Sequence, residues 1–175
     1  MLGSGLVLIG LVGAIMLTTS QPVKSSSPAG APVPVALDFP APQLELTDLN
    51  GQAVTLADYR DRYVLVNNWA TWCPPCRAEM PILEAFYRDQ RDRGFVLIAV
   101  EAGDPPRMVQ EFVDRYQVSF PVWLDPENQA LRGFANNALP SSYLIDPKGR
   151  VILGWSGAVT RAALDRHVAP LLVDP

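Results

Sequence analysis

The chain predicts an α/β fold: a mixed central sheet flanked by helices, with an N-terminal β-hairpin, preceded by a single apolar N-terminal helix. Three observations carry this. From residue 63 onward, apolar runs of strand length alternate with segments of helical period. The turn signal Asp48-Leu49-Asn50-Gly51 lies between Leu44-Glu45-Leu46 and Ala53-Val54, which reads as a hairpin. Two further strand-like runs and a last helix close the chain, an order that fits a mixed sheet covered on both faces.

Taken in order, residues 1–19 read as a signal anchor or signal peptide. Leu2 to Thr18 is an uncharged run just long enough to cross a bilayer as a helix. Being Gly-rich, uninterrupted and without a polar face, it is a poor candidate for a buried core helix. A retained anchor is favoured over a cleaved signal, because the small residues Ala29-Gly30-Ala31 sit far beyond the apolar stretch. Charge placement runs against a cytoplasmic N-terminus, since no Lys or Arg precedes the run and Lys24 follows it. Residues 20–36 read as a Pro/Ser-rich linker, with Pro22, Pro28, Pro32, Pro34 and Ser25-Ser26-Ser27 keeping it extended as a tether.

Residues 37–175 form the expected domain. After the hairpin, Thr55 caps a short helix through Tyr59. Strands are expected at 63–69, 95–101, 120–124, 142–146 and 151–155, and helices at 74–92, 105–116, 127–134 and 160–172. A chain that is 49% hydrophobic and 18% charged suits one globular domain plus an appendage. Its net charge of −4, with no basic run, leaves a nucleic-acid partner without its main electrostatic attraction.

The two cysteines of the chain, Cys73 and Cys76, are spaced C-x-x-C after the apolar run Tyr63-Val64-Leu65-Val66 and before a helix-like stretch. A strand feeding a helix puts Cys73 at a helix N-terminus, where free N–H groups and the macrodipole favour a thiolate. Cys73 is therefore the candidate nucleophile, exposed and of low pKa. Cys76, a turn further on and facing inward, can resolve a mixed disulfide at Cys73. Structural zinc takes four Cys or His ligands, and only His167 remains to help, so no metal or cofactor is expected. A disulfide closing so short a loop would also be a weak structural staple.

The block from Val64 to Pro81, centred on Trp72-Cys73-Pro74-Pro75-Cys76, closely resembles the active site of the thioredoxin superfamily, in its TlpA/ResA-like branch of extracytoplasmic thiol-disulfide oxidoreductases. A second block, Ala138 to Arg150, resembles that family's cis-proline loop, the next strand and the following turn. The resemblance implies a thioredoxin-like fold from about Leu37 onward. It implies a cis bond before Pro140, with the backbone of Leu139 pairing with an extended substrate segment. Glu79 matches a glutamate that tunes cysteine pKa and proton transfer; the alternative is an exposed acidic residue in an early helix turn, contributing about 0.3–1 kcal/mol. Thioredoxin itself has a buried acid where this chain has Asn67. An amide cannot take the Cys76 proton, which shifts that role towards Glu79 or water. Asn68 replaces an aromatic residue.

Trp72 lines the expected substrate groove and Trp69 packs beside it, since an indole offers only an N–H donor. Pro74 and Pro75 fit the first helical positions and remove donors that could stabilise a thiolate. His167 reads as a surface residue near a helix C-terminus.

The resemblance implies reduction of disulfides in extracytoplasmic partner proteins through the Cys73/Cys76 dithiol, apocytochrome c cysteines among them. A separate membrane or extracytoplasmic electron donor must recycle the pair. The expected location is the cell membrane, single-pass, with the domain outside the cytoplasm, or secreted or periplasmic if the N-terminal segment is cleaved. Two other classes remain open. A thiol peroxidase would place a threonine three positions before its cysteine, whereas Thr71 stands two before Cys73 and Ala70 holds the informative place. A non-catalytic redox-sensing or copper-binding module would use the same thiols without turnover.

Overall fold

The computed structural model describes residues 32–172. The apolar run of residues 2–18 and most of the linker lie outside the described residues. Strands are β1 (Val35–Pro40), β2 (Glu45–Asp48), β3 (Ala53–Thr55), β4 (Tyr63–Trp69), β5 (Phe95–Glu101), β6 (Val122–Leu124), β7 (Ser141–Ile145) and β8 (Arg150–Ser156). Helices are α1 (Pro74–Gln90), α2 (Pro106–Tyr116), α3 (Gln129–Gly133) and α4 (Arg161–His167). The eight strands form one sheet in the order β1-β8-β7-β4-β5-β6-β2-β3. β4 pairs parallel with β5, and β5 with β6, while β7 runs antiparallel to both β4 and β8. The expected mixed thioredoxin-like sheet is thus present.

Period-two alternation on β4 divides the core. Leu65 and Trp69 join Met80, Leu83 and Phe86 of α1 and Val109 and Phe112 of α2 on one face. Val64 and Val66 join Leu44, Ile98, Trp123 and Phe134 on the other. β4 and β5 are buried along nearly their whole length, as expected of central strands covered on both faces.

Several boundaries differ from the sequence expectation for identifiable reasons. Val35 and Ala36, grouped with the proline-rich linker, belong to β1 and pair with Gly154 and Leu153 of β8, so an edge strand precedes the hairpin. The helix expected at 160–172 ends at His167 and continues only as a 3-10 turn, Ala169–Leu172, because Pro170 has no N–H for an i to i−4 bond. The segment 127–134 yields the five-residue α3, whose first amides, Gln129 and Ala130, are held by the Asp125 carboxylate. The strand expected at 120–124 begins at Val122, after Pro121.

Candidate active site

β4 lies between a parallel neighbour and an antiparallel one, and its carboxyl end feeds Ala70-Thr71-Trp72 into α1. Cys73 is the N-cap of that helix, with Pro74 and Pro75 in its first two positions. A helix start normally leaves several N–H groups unpaired. Here the prolines remove two of them, and the next, that of Cys76, donates to Cys73 Sγ at 3.3 Å. The Cys73 N–H donates back to the Ala70 carbonyl at 3.2 Å, closing the turn before the helix.

Cys73 and Cys76 form a disulfide with S–S 2.07 Å. Cys76 is completely buried, as the sequence indicates. Cys73, expected to be exposed, is only 3% exposed, because in the oxidised state its sulfur faces Cys76 within the apolar cluster. The open surface beside it belongs to Trp72, 65% exposed, while Trp69 is buried 4.6 Å from the Phe112 ring. The Leu139–Pro140 bond is cis. Pro140 is buried, and half-buried Leu139 packs against the cluster that contains both cysteines. His167 lies in the last turn of α4, half-buried.

Glu79 is not the exposed helix residue of the simpler reading; it is 1% exposed. One turn after Cys76, at i+3, it lies on the same helix face, where such side chains neighbour one another. Its Oε1 accepts from Asn67 Nδ2 at 2.9 Å and its Oε2 from the Val159 N–H at 2.7 Å. Burial pushes its pKa up to about 7, although the bonds from Asn67 and Val159 favour the ionised form. Asn67 sits on the α1 face of β4, where it also donates to Ser142 Oγ at 3.0 Å on β7. It cannot take a proton, but it aims the carboxyl that can. Asn68 points to the opposite face and donates to Ser141 Oγ at 3.2 Å, so the position usual for an aromatic is filled by a cross-strand polar pair.

A second carboxyl cluster borders the same turn and was missed from the sequence. Glu101 ends β5 directly opposite Trp69 and is completely buried. Both its oxygens accept from the Asp104 N–H, at 3.1 and 2.9 Å. Asp104 Oδ2 in turn accepts from the N–H and the hydroxyl of Thr71, at 2.9 and 2.7 Å. Burial, and then Asp104, pushes Glu101 up to about 8. Burial also acts to raise Asp104, but bonds from Thr71 and Glu101 more than offset it, leaving that carboxyl below its usual range. An acidic residue closing an otherwise apolar strand, Phe95 to Glu101, was the available signal.

The chain matches the AhpC/TSA family over residues 38–153. It is 34% identical over 163 residues to the thiol-disulfide oxidoreductase ResA of Geobacillus kaustophilus, covering 93% of this chain and 89% of that one. The Bacillus subtilis protein of the same name is 35% identical over 128 residues, covering 73% of this chain and 72% of its own. Among solved structures, a thiol:disulfide interchange protein of the thioredoxin family from Chlorobium tepidum superposes with TM-score 0.70 at 26% identity, over 79% of this chain and 99% of that one. With a redox-active Cys73–Cys76 pair at the start of α1 and these relatives over most of its length, the chain belongs to the AhpC/TSA family, among its thioredoxin-like thiol-disulfide oxidoreductases.

Proposed function

We propose that the protein reduces disulfides in extracytoplasmic proteins from a membrane tether, with Cys73 attacking, Cys76 resolving and Glu79 receiving the Cys76 proton. The observation that carries this assignment is a fully buried Cys76 one turn from a buried carboxyl whose pKa lies at about 7. A thiol so enclosed needs a local acceptor, and an acceptor near neutral pH works in both directions. The Cys73 thiolate attacks a substrate disulfide, forming a mixed disulfide and releasing one substrate thiolate. Cys76 gives its proton to Glu79 and attacks Cys73 Sγ, and the second substrate sulfur leaves. One released thiolate takes the proton from Glu79 and the other takes one from solvent. Two electrons pass to the substrate, and the product is the Cys73–Cys76 disulfide. With no other cysteine in the chain, a dithiol on a separate membrane or extracytoplasmic protein must restore the reduced form.

The apolar run Leu2–Thr18 supports the tether, and an oxidising compartment supplies disulfides for the dithiol. The vicinal cysteines of an apocytochrome c are a substrate of this class. Trp72, Leu139 and Pro140 provide the surface on which a substrate segment would lie. The site does not favour a thiol peroxidase, because Ala70 stands three positions before Cys73 and the hydroxyl of Thr71, two before it, is committed to Asp104. Trapping tests the assignment: Cys76→Ala accumulates mixed disulfides with substrate and Cys73→Ala does not. Trapping by Cys73→Ala instead reverses the roles. Insulin reduction with turnover supports the enzyme, whereas tight copper(I) binding without turnover identifies a metallochaperone.

A further inference from the structure

We propose that Asp104 is a positioning residue for Cys73: by accepting both the N–H and the hydroxyl of Thr71 it fixes the turn from which the nucleophile's helix starts, with Glu101 as its buried anchor. The construction begins where β4 and β5 end side by side. Trp69 is in register with Glu101, and the Ala102 N–H extends that pairing to the Trp69 carbonyl at 2.9 Å. Gly103 then takes φ +94°, a conformation that L side chains rarely adopt. This reversal brings the Asp104 N–H back onto the Glu101 carboxyl. Pro105 and Pro106 follow and limit the freedom of the segment after it.

From that fixed point, Asp104 Oδ2 holds both donors of Thr71. With the Cys73 N–H bonded to Ala70, the four-residue turn 70–73 is tied at Thr71 and at its own ends. Such a tie matters more here than at an ordinary helix start. The prolines leave the Cys76 N–H as the first-turn donor to Cys73 Sγ, at 3.3 Å. One contact cannot hold the sulfur in line, so its direction depends on the turn that precedes it.

The arrangement is expensive for a merely structural device. Glu101 is completely buried, and among the described residues no Lys or Arg forms an ion pair with Glu101 or Asp104. Apolar residues of similar volume commonly stabilise a fold as well as buried charged groups do. A fully buried Glu101 carboxyl, joined through the half-buried Asp104 to the residue two positions before the nucleophile, is accounted for by a demand on geometry.

The inference rests on Cys73 being the attacking sulfur, which the trapping experiment tests separately. Its own test uses the full-length protein with Thr71→Val, Thr71→Ser, Asp104→Ala and Asp104→Asn. Three quantities are measured: the single-turnover rate of insulin reduction, the Cys73/Cys76 reduction potential in glutathione buffers, and the melting temperature. Thr71→Val and Asp104→Ala should each slow attack roughly tenfold and move the potential in the same direction, the size expected when a reacting group is misaligned. Their double variant should be no slower than the worse single one. Thr71→Ser and Asp104→Asn keep the hydroxyl donor and the acceptor oxygen, and should recover most of the rate. If Asp104→Ala does not fold, the Thr71 pair carries the test with both carboxyls intact. Wild-type rate and potential in Thr71→Val overturn the proposal, whatever its melting temperature. An Asp104→Asn variant as slow as Asp104→Ala overturns it too, by showing that charge and not position matters.

Discussion

Replacing Glu79 by glutamine should change how stability depends on pH, in a direction fixed by its burial. The carboxyl lies at about 7 in the folded protein against its ordinary 4.5. Its folded pKa is raised, so the stability it contributes is fully present below about 4.5 and is lost as pH rises towards 7. Above 7 the loss is complete. Converted through the linkage relation, the shift amounts to roughly 3 kcal/mol between pH 4.5 and 8. Glu79→Gln keeps the shape and never ionises, so it should lack this loss. The amide has one acceptor oxygen for two donors, Asn67 Nδ2 and the Val159 N–H. Asn67 can answer by turning over, because its Oδ1 has no partner. That limits the geometric cost to about one hydrogen bond, ~1 kcal/mol. Urea denaturation of the oxidised proteins at pH 4.5, 6, 7 and 8 gives both curves. The wild type should lose roughly 3 kcal/mol relative to the variant across that range. Parallel curves would refute a buried, near-neutral carboxyl. In the reduced protein the variant should also lose the limb near pH 7 from its exchange-rate profile.

Other expectations concern the thiolate and the location. Pro75→Ala restores an N–H at the second helical position, adding a donor for the Cys73 thiolate. It should lower the thiol pKa and raise the reduction potential, read in glutathione buffers; a lower potential would show that the prolines act by shaping the loop rather than by removing donors. In intact cells, a membrane-impermeant maleimide should label Cys73 once the disulfide is reduced. Labelling that appears only after the membrane is broken places the domain on the cytoplasmic side.

The sheet was legible because β4 and β5 are long apolar runs and each is followed by a helix with its own period. Strand β1 was not, since Pro32 and Pro34 precede it, Pro40 ends it, and its partner, β8, lies more than a hundred residues away. Proline is tolerated on an edge strand, where composition alone reads as linker. The cysteines were legible from spacing, and so was the inward direction of Cys76. The burial of Cys73 was not, because it depends on the disulfide and on a core cluster assembled from residues distant in sequence. Thr71 and Asp104 are 33 positions apart, and nothing in the spacing of a threonine and an aspartate announces a hydrogen bond between loops.

Asn67 marks where the site departs from the thioredoxin pattern. A buried acid on the strand would face the cysteines from the sheet; here the strand position carries an amide, and the acid comes from α1, one turn beyond Cys76. The two share a hydrogen bond of 2.9 Å, so the strand position still governs the carboxyl without being one. This transfer has a consequence for motion. A carboxyl on a central strand is held by the sheet, whereas Glu79 is fixed through α1, Asn67 and the Val159 N–H of the loop before α4. A shift of that loop on substrate binding would therefore reach the Glu79 carboxyl directly, through the 2.7 Å bond to Oε2.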